Sequence, residues 1–135
     1  MRGSKPILLL EDDEVDALTV KRAFKENNVP NRLVIVPDGE EGLNHLRTKE
    51  KPCIILSDIK MPIMNGIEFV REVKKDNDLK MIPVIILTAS KEERDKIDSF
   101  KLSVAGYFLK PVDYKQFVQE MKTFQIYWSL SQLPL

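Results

Sequence analysis

Short, wholly apolar runs alternate with segments whose apolar residues recur every three or four positions. Pro6 to Leu10 leaves no polar face across Leu8, Leu9 and Leu10, the pattern of a strand buried on both sides. Val15 to Asn27 places Ala17, Val20, Ala23 and Phe24 on one helical stripe, stopped by Asn27-Asn28 and Pro30. A second strand is predicted over Leu33 to Val36. The turn Asp38-Gly39 then opens a helix to about Arg47, with Asp38 as N-cap. Pro52 precedes a third strand, Ile54 to Ser57. Asn65-Gly66 opens a helix through Lys75, with Ile67, Val70 and Val73 inward. Val84 to Leu87 reads as the fourth strand, and Ser90 caps a helix from about Glu92 to Lys101. Tyr107 to Leu109 is the fifth strand, and Asp113 caps the last helix.

Strands alternating with helices of 10 to 15 residues specify βαβ units. Uniformly apolar strands require helices on both faces of a parallel sheet. The expected fold class is α/β: a flavodoxin-like (βα)5, doubly wound five-stranded parallel sheet in the order 2-1-3-4-5. That order sets the first and third strands side by side, so Glu11, Asp12 and Asp58 become neighbours. Residues 1–4 read as an added or disordered leader. Residues 5–124 form the domain, and 125–135 a C-terminal extension.

Composition narrows the classes. Lys plus Arg and Asp plus Glu number 21 each, a balance that gives no basic excess for a nucleic-acid or membrane partner. No apolar run approaches the roughly 18 residues of a membrane span, and there is no secretory apolar segment, so the protein is read as cytoplasmic. The single cysteine, Cys53, cannot form an internal disulfide and is read as a buried structural thiol. His45, the one histidine, falls on a helix surface with no ligand set around it.

The chemistry gathers where the strands end. Glu11-Asp12-Asp13, Asp58, Thr88 and Lys110 each close an apolar run, and open α/β sheets bind ligands outside the carboxyl ends of their strands. Taken singly these residues are ordinary: a solvated helix start, a turn former, a strand-ending threonine. Together they suit a hard divalent cation and a phosphoryl group. Crowded carboxylates repel, whereas Mg²⁺ accepts one or two of them and keeps several waters. Mn²⁺ could substitute. Asp12 and Asp58 are candidate direct ligands, Glu11 a ligand through water, and the backbone carbonyl of Lys60 a fourth oxygen. Asp58 is also the candidate nucleophile. Lys110 supplies a compact positive charge for phosphoryl oxygens, and Thr88 a hydroxyl.

Between Lys5 and Met121 the chain resembles the response-regulator receiver domains of two-component signalling. Leu9-Leu10-Glu11-Asp12-Asp13 is similar to the receiver acidic pair. Ser57-Asp58-Ile59-Lys60-Met61-Pro62, continuing to Asn65-Gly66, is similar to the phosphoacceptor strand and loop. Leu87-Thr88-Ala89 and Gly106-Tyr107-Phe108-Leu109-Lys110-Pro111 are similar to the switch and lysine segments. The resemblance implies phosphoryl transfer to Asp58 from a sensor histidine kinase, with Mg²⁺ required and no external substrate turned over. It implies Thr88 moving toward the phosphoryl group, with the small Ala89 beside it, Tyr107 swinging inward, and output from the fourth helix, fifth strand and fifth helix. It also implies a cis Lys110-Pro111 bond, and rate-tuning positions at Lys60 and Ser90. Leu10 to Asp16, Arg22-Ala23-Phe24, Asp38 to Leu43 and the aromatic tail further resemble the single-domain regulators of bacterial phytochromes. Receivers commonly carry glycine at the position of Ser103.

Phe124, Tyr127 and Trp128 run past the usual end of such a domain, and a homodimer through them is expected. A haloacid-dehalogenase-type phosphatase uses similar groups, but its nucleophile lies on the first strand. A flavodoxin needs a glycine- and hydroxyl-rich phosphate loop where Glu11 to Asp16 stand. A receiver that docks without taking phosphate remains the third alternative.

Overall fold

A computed structural model describes residues 5–110 and 113–131, with side chains described through 123. Five strands and five helices alternate: β1 (Ile7–Leu10), α1 (Glu14–Glu26), β2 (Leu33–Val36), α2 (Gly39–Thr48), β3 (Ile54–Asp58), α3 (Gly66–Lys75), β4 (Val84–Thr88), α4 (Lys91–Asp98), β5 (Gly106–Leu109) and α5 (Tyr114–Ser131). The strands form one parallel sheet in the order β2-β1-β3-β4-β5: the patterning supplies the five strands, and the order is that of the expected flavodoxin-like winding. The leader 1–4 and the Lys110-Pro111 bond lie outside the described residues.

Strand alternation divides the core in two. Ile7 and Leu9, Ile54 and Leu56, and Ile85 and Leu87 face α1 and α5, joining Ala17, Val20, Phe24, Phe117 and Met121. Leu8, Leu10, Ile55, Val84 and Ile86 face the other way, against Leu43, Leu46, Phe69, Val70, Val73 and Ile97. β1, β3 and β4 are buried throughout, while the edge strands keep Ile35 and Leu109 exposed.

Local signals set the helix starts. Asp13 accepts from the Val15 and Asp16 amides, Asp38 from Glu41, and Ser90 from Glu93. Asn65 and Glu68 form a reciprocal capping box at α3. Asp113 accepts from the Lys115 and Gln116 amides at α5. The ends differ more. α4 stops at Asp98, three residues before the expected Lys101, because the chain turns through left-handed Lys101 (φ 51°) and Ser103 (φ 58°) and buries Leu102 between them. In α3, Phe69 is fully buried and Ile67 only partly, so the inward stripe is rotated from the expected one. Cys53 is half-buried rather than buried, since it precedes β3 at the sheet's amino edge.

Candidate functional site

Parity along the strands brings the charged groups together. Asp58 ends β3 two residues after Leu56, and Lys110 lies two residues after Phe108; both neighbours face α1 and α5. Glu11 follows Leu9 in the same phase. The three side chains therefore leave the sheet on one side. Lys110 Nζ lies 2.8 Å from Asp58 Oδ2, 2.9 Å from Asp16 Oδ2 and 3.1 Å from Glu11 Oε1. The other Asp58 oxygen accepts from the Ile59 amide at 2.8 Å.

Asp16 is the participant the sequence reading left out. It lies in the first turn of α1, and its amide donates to the Asp13 cap at 3.0 Å, which fixes that turn beside the β1 end. The available signal was helical spacing: a third acid three residues after a capping aspartate returns toward the strand that precedes the helix.

Glu11 is almost wholly enclosed. Burial, then the Asp58 charge, pushes its carboxyl up to about 7, against the pull of Lys110. Burial works against the Lys110 charge too, but hydrogen bonds to Asp58 and Asp16 outweigh it and hold the ammonium above its ordinary range. Ion pairing at this depth offsets desolvation only when every partner is in place.

The acids fit a hard cation. Glu11, Asp12 and Asp58 each offer an oxygen within 4.8 Å of the others. Mg²⁺ binds protein through one or two carboxylates and keeps several waters, so the set suits two direct ligands and a third through water. Glu11 Oε1 is buried without a hydrogen bond, its Lys110 contact being an ion pair only. A cation or its water would satisfy that oxygen, and exposed Asp12 opens the cluster to solvent.

The loop after Asp58 is tightly set. Ile63 has φ 67° and is spanned by a 2.7 Å hydrogen bond from the Met64 amide to the Pro62 carbonyl, the rarer, strained form of γ-turn. The Met64 carbonyl accepts from Gly39 at the start of α2, and the Gly66 amide returns to the Ile59 carbonyl. A Cβ on Gly66 would fall 2.1 Å from the Asp58 carbonyl oxygen, so a side chain there would displace the Asp58 backbone.

The remaining expected residues stand apart from the ammonium cluster. Buried Thr88 donates to the Phe108 carbonyl at 3.4 Å. Tyr107 is turned outward: its hydroxyl donates to Asp98 Oδ1 at 3.0 Å, and the Arg94 guanidinium lies 5.3 Å from its ring centre. Ser90 is engaged as the α4 cap, while the amide of exposed Ala89 donates to Glu93. Ala89, Ser90, Leu109 and Lys110 line a cavity of about 230 Å³. Lys60 is exposed on the loop. The side chains of Phe124, Tyr127 and Trp128 lie outside the described residues.

A family profile described as the response regulator receiver domain matches residues 7–122. Response regulator Rcp1 of Synechocystis sp. is 32% identical over 130 residues, covering 92% of this chain and 88% of that relative. The probable methanogenesis regulatory protein FilR2 of Methanothrix harundinacea is 32% identical over 136 residues, covering 95% and 88%. The crystal structure of the phosphorylated cyanobacterial phytochrome response regulator RcpA superposes with a TM-score of 0.83 at 34% identity, over 98% of this chain and 99% of that one. The Mn(2+)-bound form of Rcp1 superposes with a TM-score of 0.80 at 32% identity, over 97% and 98%.

Proposed function

The chain belongs to the response regulator receiver domain family, and from that premise we propose that Asp58 is the phosphoacceptor. It is homologous to phytochrome response regulators. Members of this family are signalling regulators rather than enzymes acting on external substrates. They bind a divalent metal at the acidic pocket, and two-component receivers take their phosphate from histidine kinases.

An Asp58 carboxylate oxygen attacks the phosphorus of a kinase phosphohistidine. The phosphorus–nitrogen bond breaks, and the imidazole keeps the electron pair and takes up a proton. An acyl phosphate results, and attack by water on phosphorus later returns the carboxylate and releases inorganic phosphate. Phosphoryl transfer asks mainly for positioning and charge neutralisation. Asp12, Asp58 and the Lys60 carbonyl would hold Mg²⁺, or Mn²⁺ in its place, with Glu11 reaching it through water, and the ion would supply charge neutralisation for the phosphoryl oxygens. Lys110 neutralises them from the other side. Thr88 turns its hydroxyl toward the new oxygens, beside the small Ala89, and Tyr107 moves inward from Asp98. Lys60 and Ser90 flank the path of the hydrolytic water. Reversing a 99:1 preference between the two arrangements takes about 5.5 kcal/mol, which the contacts to the phosphoryl group must supply.

The carrying observation is the Lys110 ammonium 2.8 Å from a buried aspartate that also belongs to a three-carboxylate cluster. The RcpA and Rcp1 likenesses support a phytochrome-like sensor kinase in the cytoplasm as the donor; no helix among the described residues is long and apolar enough to cross a membrane. The aromatic spacing of Phe124, Tyr127 and Trp128 supports a homodimer, and a sedimentation mass unchanged by truncation after Lys122 removes it. Incubation with acetyl phosphate and Mg²⁺, followed by intact mass, tests the core reading. One phosphate is gained by the native chain and none by Asp58→Asn. No gain in the native chain overturns the reading, and an undiminished gain in the variant moves the acceptor elsewhere.

A further inference from the structure

Lys110 is held from three sides, and its partners are not equivalent. The ammonium donates to Asp58 at 2.8 Å and to Asp16 at 2.9 Å, and Glu11 Oε1 faces it at 3.1 Å as an ion pair. Asp58 and Glu11 belong to the cluster that converges within 4.8 Å; Asp16 does not. Asp58 must turn an oxygen from the ammonium to the incoming phosphorus, and after transfer that oxygen bridges the carboxyl carbon and phosphorus in the acyl phosphate. Glu11 is the acid whose buried oxygen lacks a hydrogen bond and is open to a cation or its water. Asp16 stands outside both events, anchored through its own amide to the Asp13 cap.

The geometry points to Asp16 as a positioning residue that keeps the Lys110 ammonium over the phosphoryl group while Asp58 and Glu11 are occupied. This inference rests on Asp58 being the acceptor, and deepens that reading. Lysine ends a flexible stem as a point charge. With both inner partners committed, an unrestrained Lys110 would spread over several rotamers and spend little time at the transferring group. The contact joins residues 94 apart in sequence and ties α1 to the end of β5, so the acid acts across the site rather than along its own helix. A plainer role, an acid favouring the first turn of α1, predicts a small stability change and no effect on Lys110.

The experiment compares native chain, Asp16→Asn, Asp16→Glu and Asp58→Asn. Phosphorylation by acetyl phosphate at saturating Mg²⁺ is followed by intact mass. In parallel the Lys110 ammonium resonance is observed by ¹⁵N NMR at saturating Mg²⁺ in the presence of acetyl phosphate, assigned with Lys110→Met. Asp16→Asn is expected to slow phosphorylation about tenfold, within the roughly hundredfold that a misplacement of about 1 Å can cost, and to lose the sharp, slowly exchanging Lys110 signal. Asp16→Glu recovers part of both. A slowing of less than threefold, or an unchanged Lys110 signal, overturns the inference. If the native chain takes no phosphate, it is the acceptor reading that fails; a native gain beside an Asp16→Asn chain of equal speed defeats the positioning role alone.

Discussion

The half of the site built on β1 and β3 and the half built on β4 and β5 are held together with very different strength. On the first side, Glu11 and Asp58 are buried, and α3 seats Phe69, Val70 and Val73 in the core behind a capping box. On the second, α4 buries Ile97 alone, β5 is an edge strand, and Tyr107 lies outward between Asp98 and Arg94. A buried large apolar side chain contributes about 1.5–3 kcal/mol, so α3 is anchored by three such contributions and α4 by one. Phosphoryl transfer demands fixed carboxylates, whereas a switch needs an element that about 5.5 kcal/mol can move. The first half is packed as the proposed chemistry requires, and the second as the proposed switch requires.

Two glycines test this contrast most severely. Gly66→Ala drives a Cβ to 2.1 Å from the Asp58 carbonyl, and backbone there cannot yield without moving Asp58. Overpacking ordinarily costs about 1–3 kcal/mol; Gly66→Ala is expected at or above the top of that range in urea unfolding, with phosphorylation abolished. Gly106→Ala on β5 meets only the Ile85 Cδ1 atom, at 3.3 Å, and a methyl end can shift. It is expected to cost under about 1 kcal/mol. Equal losses in the two variants would erase the distinction between the halves.

A pH titration probes the tight half alone. The Glu11 carboxyl stands at about 7 in the fold against 4.5 as an ordinary glutamate, raised first by burial and then by Asp58. The folded state thus holds this proton more firmly than the unfolded chain does. Its stabilising contribution is complete below 4.5 and is lost as pH rises through 7. Metal-free protein should lose stability across that window, and calorimetry against Glu11→Gln isolates the loss. Mg²⁺ binding runs the other way, because it competes with the proton: affinity should climb by up to about tenfold per pH unit below 7 and level off above it. A flat affinity between pH 6 and 8 would remove Glu11 from the metal site.

How far the sequence can be read follows the same division. Apolar runs and alternation are short-range, so all five strands and the parity that aims Asp58 and Lys110 into one space were legible from residues such as Leu8 to Leu10 and Ile54 to Leu56. Caps were legible because Asp38, Asn65 and Ser90 act within three residues. The Asp16–Lys110 contact was not, since no local rule pairs residues 94 apart. The outward seat of Tyr107 depends on Asp98 and Arg94 arriving on a helix whose weak apolar pattern hid where it stops. Cys53 was misplaced for a related reason: apolar neighbours indicate a strand, but not which residue meets solvent at its mouth.

The end of α4 carries the smallest and most local effect. Asn28, which leaves α1 at φ 55°, is a residue that tolerates this region, whereas Ser103 holds φ 58° where the resemblance leads one to expect glycine. A left-handed non-glycine residue costs about 1–2 kcal/mol, and glycine returns roughly half of that as lost chain entropy. Ser103→Gly should therefore stabilise by about 0.5–1 kcal/mol, a rise of roughly 2–4 °C in Tm. The loop lies at the far end of β5 from Lys110, so phosphorylation by acetyl phosphate should be unchanged. A gain in stability accompanied by slower switching of Tyr107, read from its ring resonances, would mean that the strain at Ser103 helps keep α4 loose. The contrast between the halves would then reside in the backbone as well as in the packing.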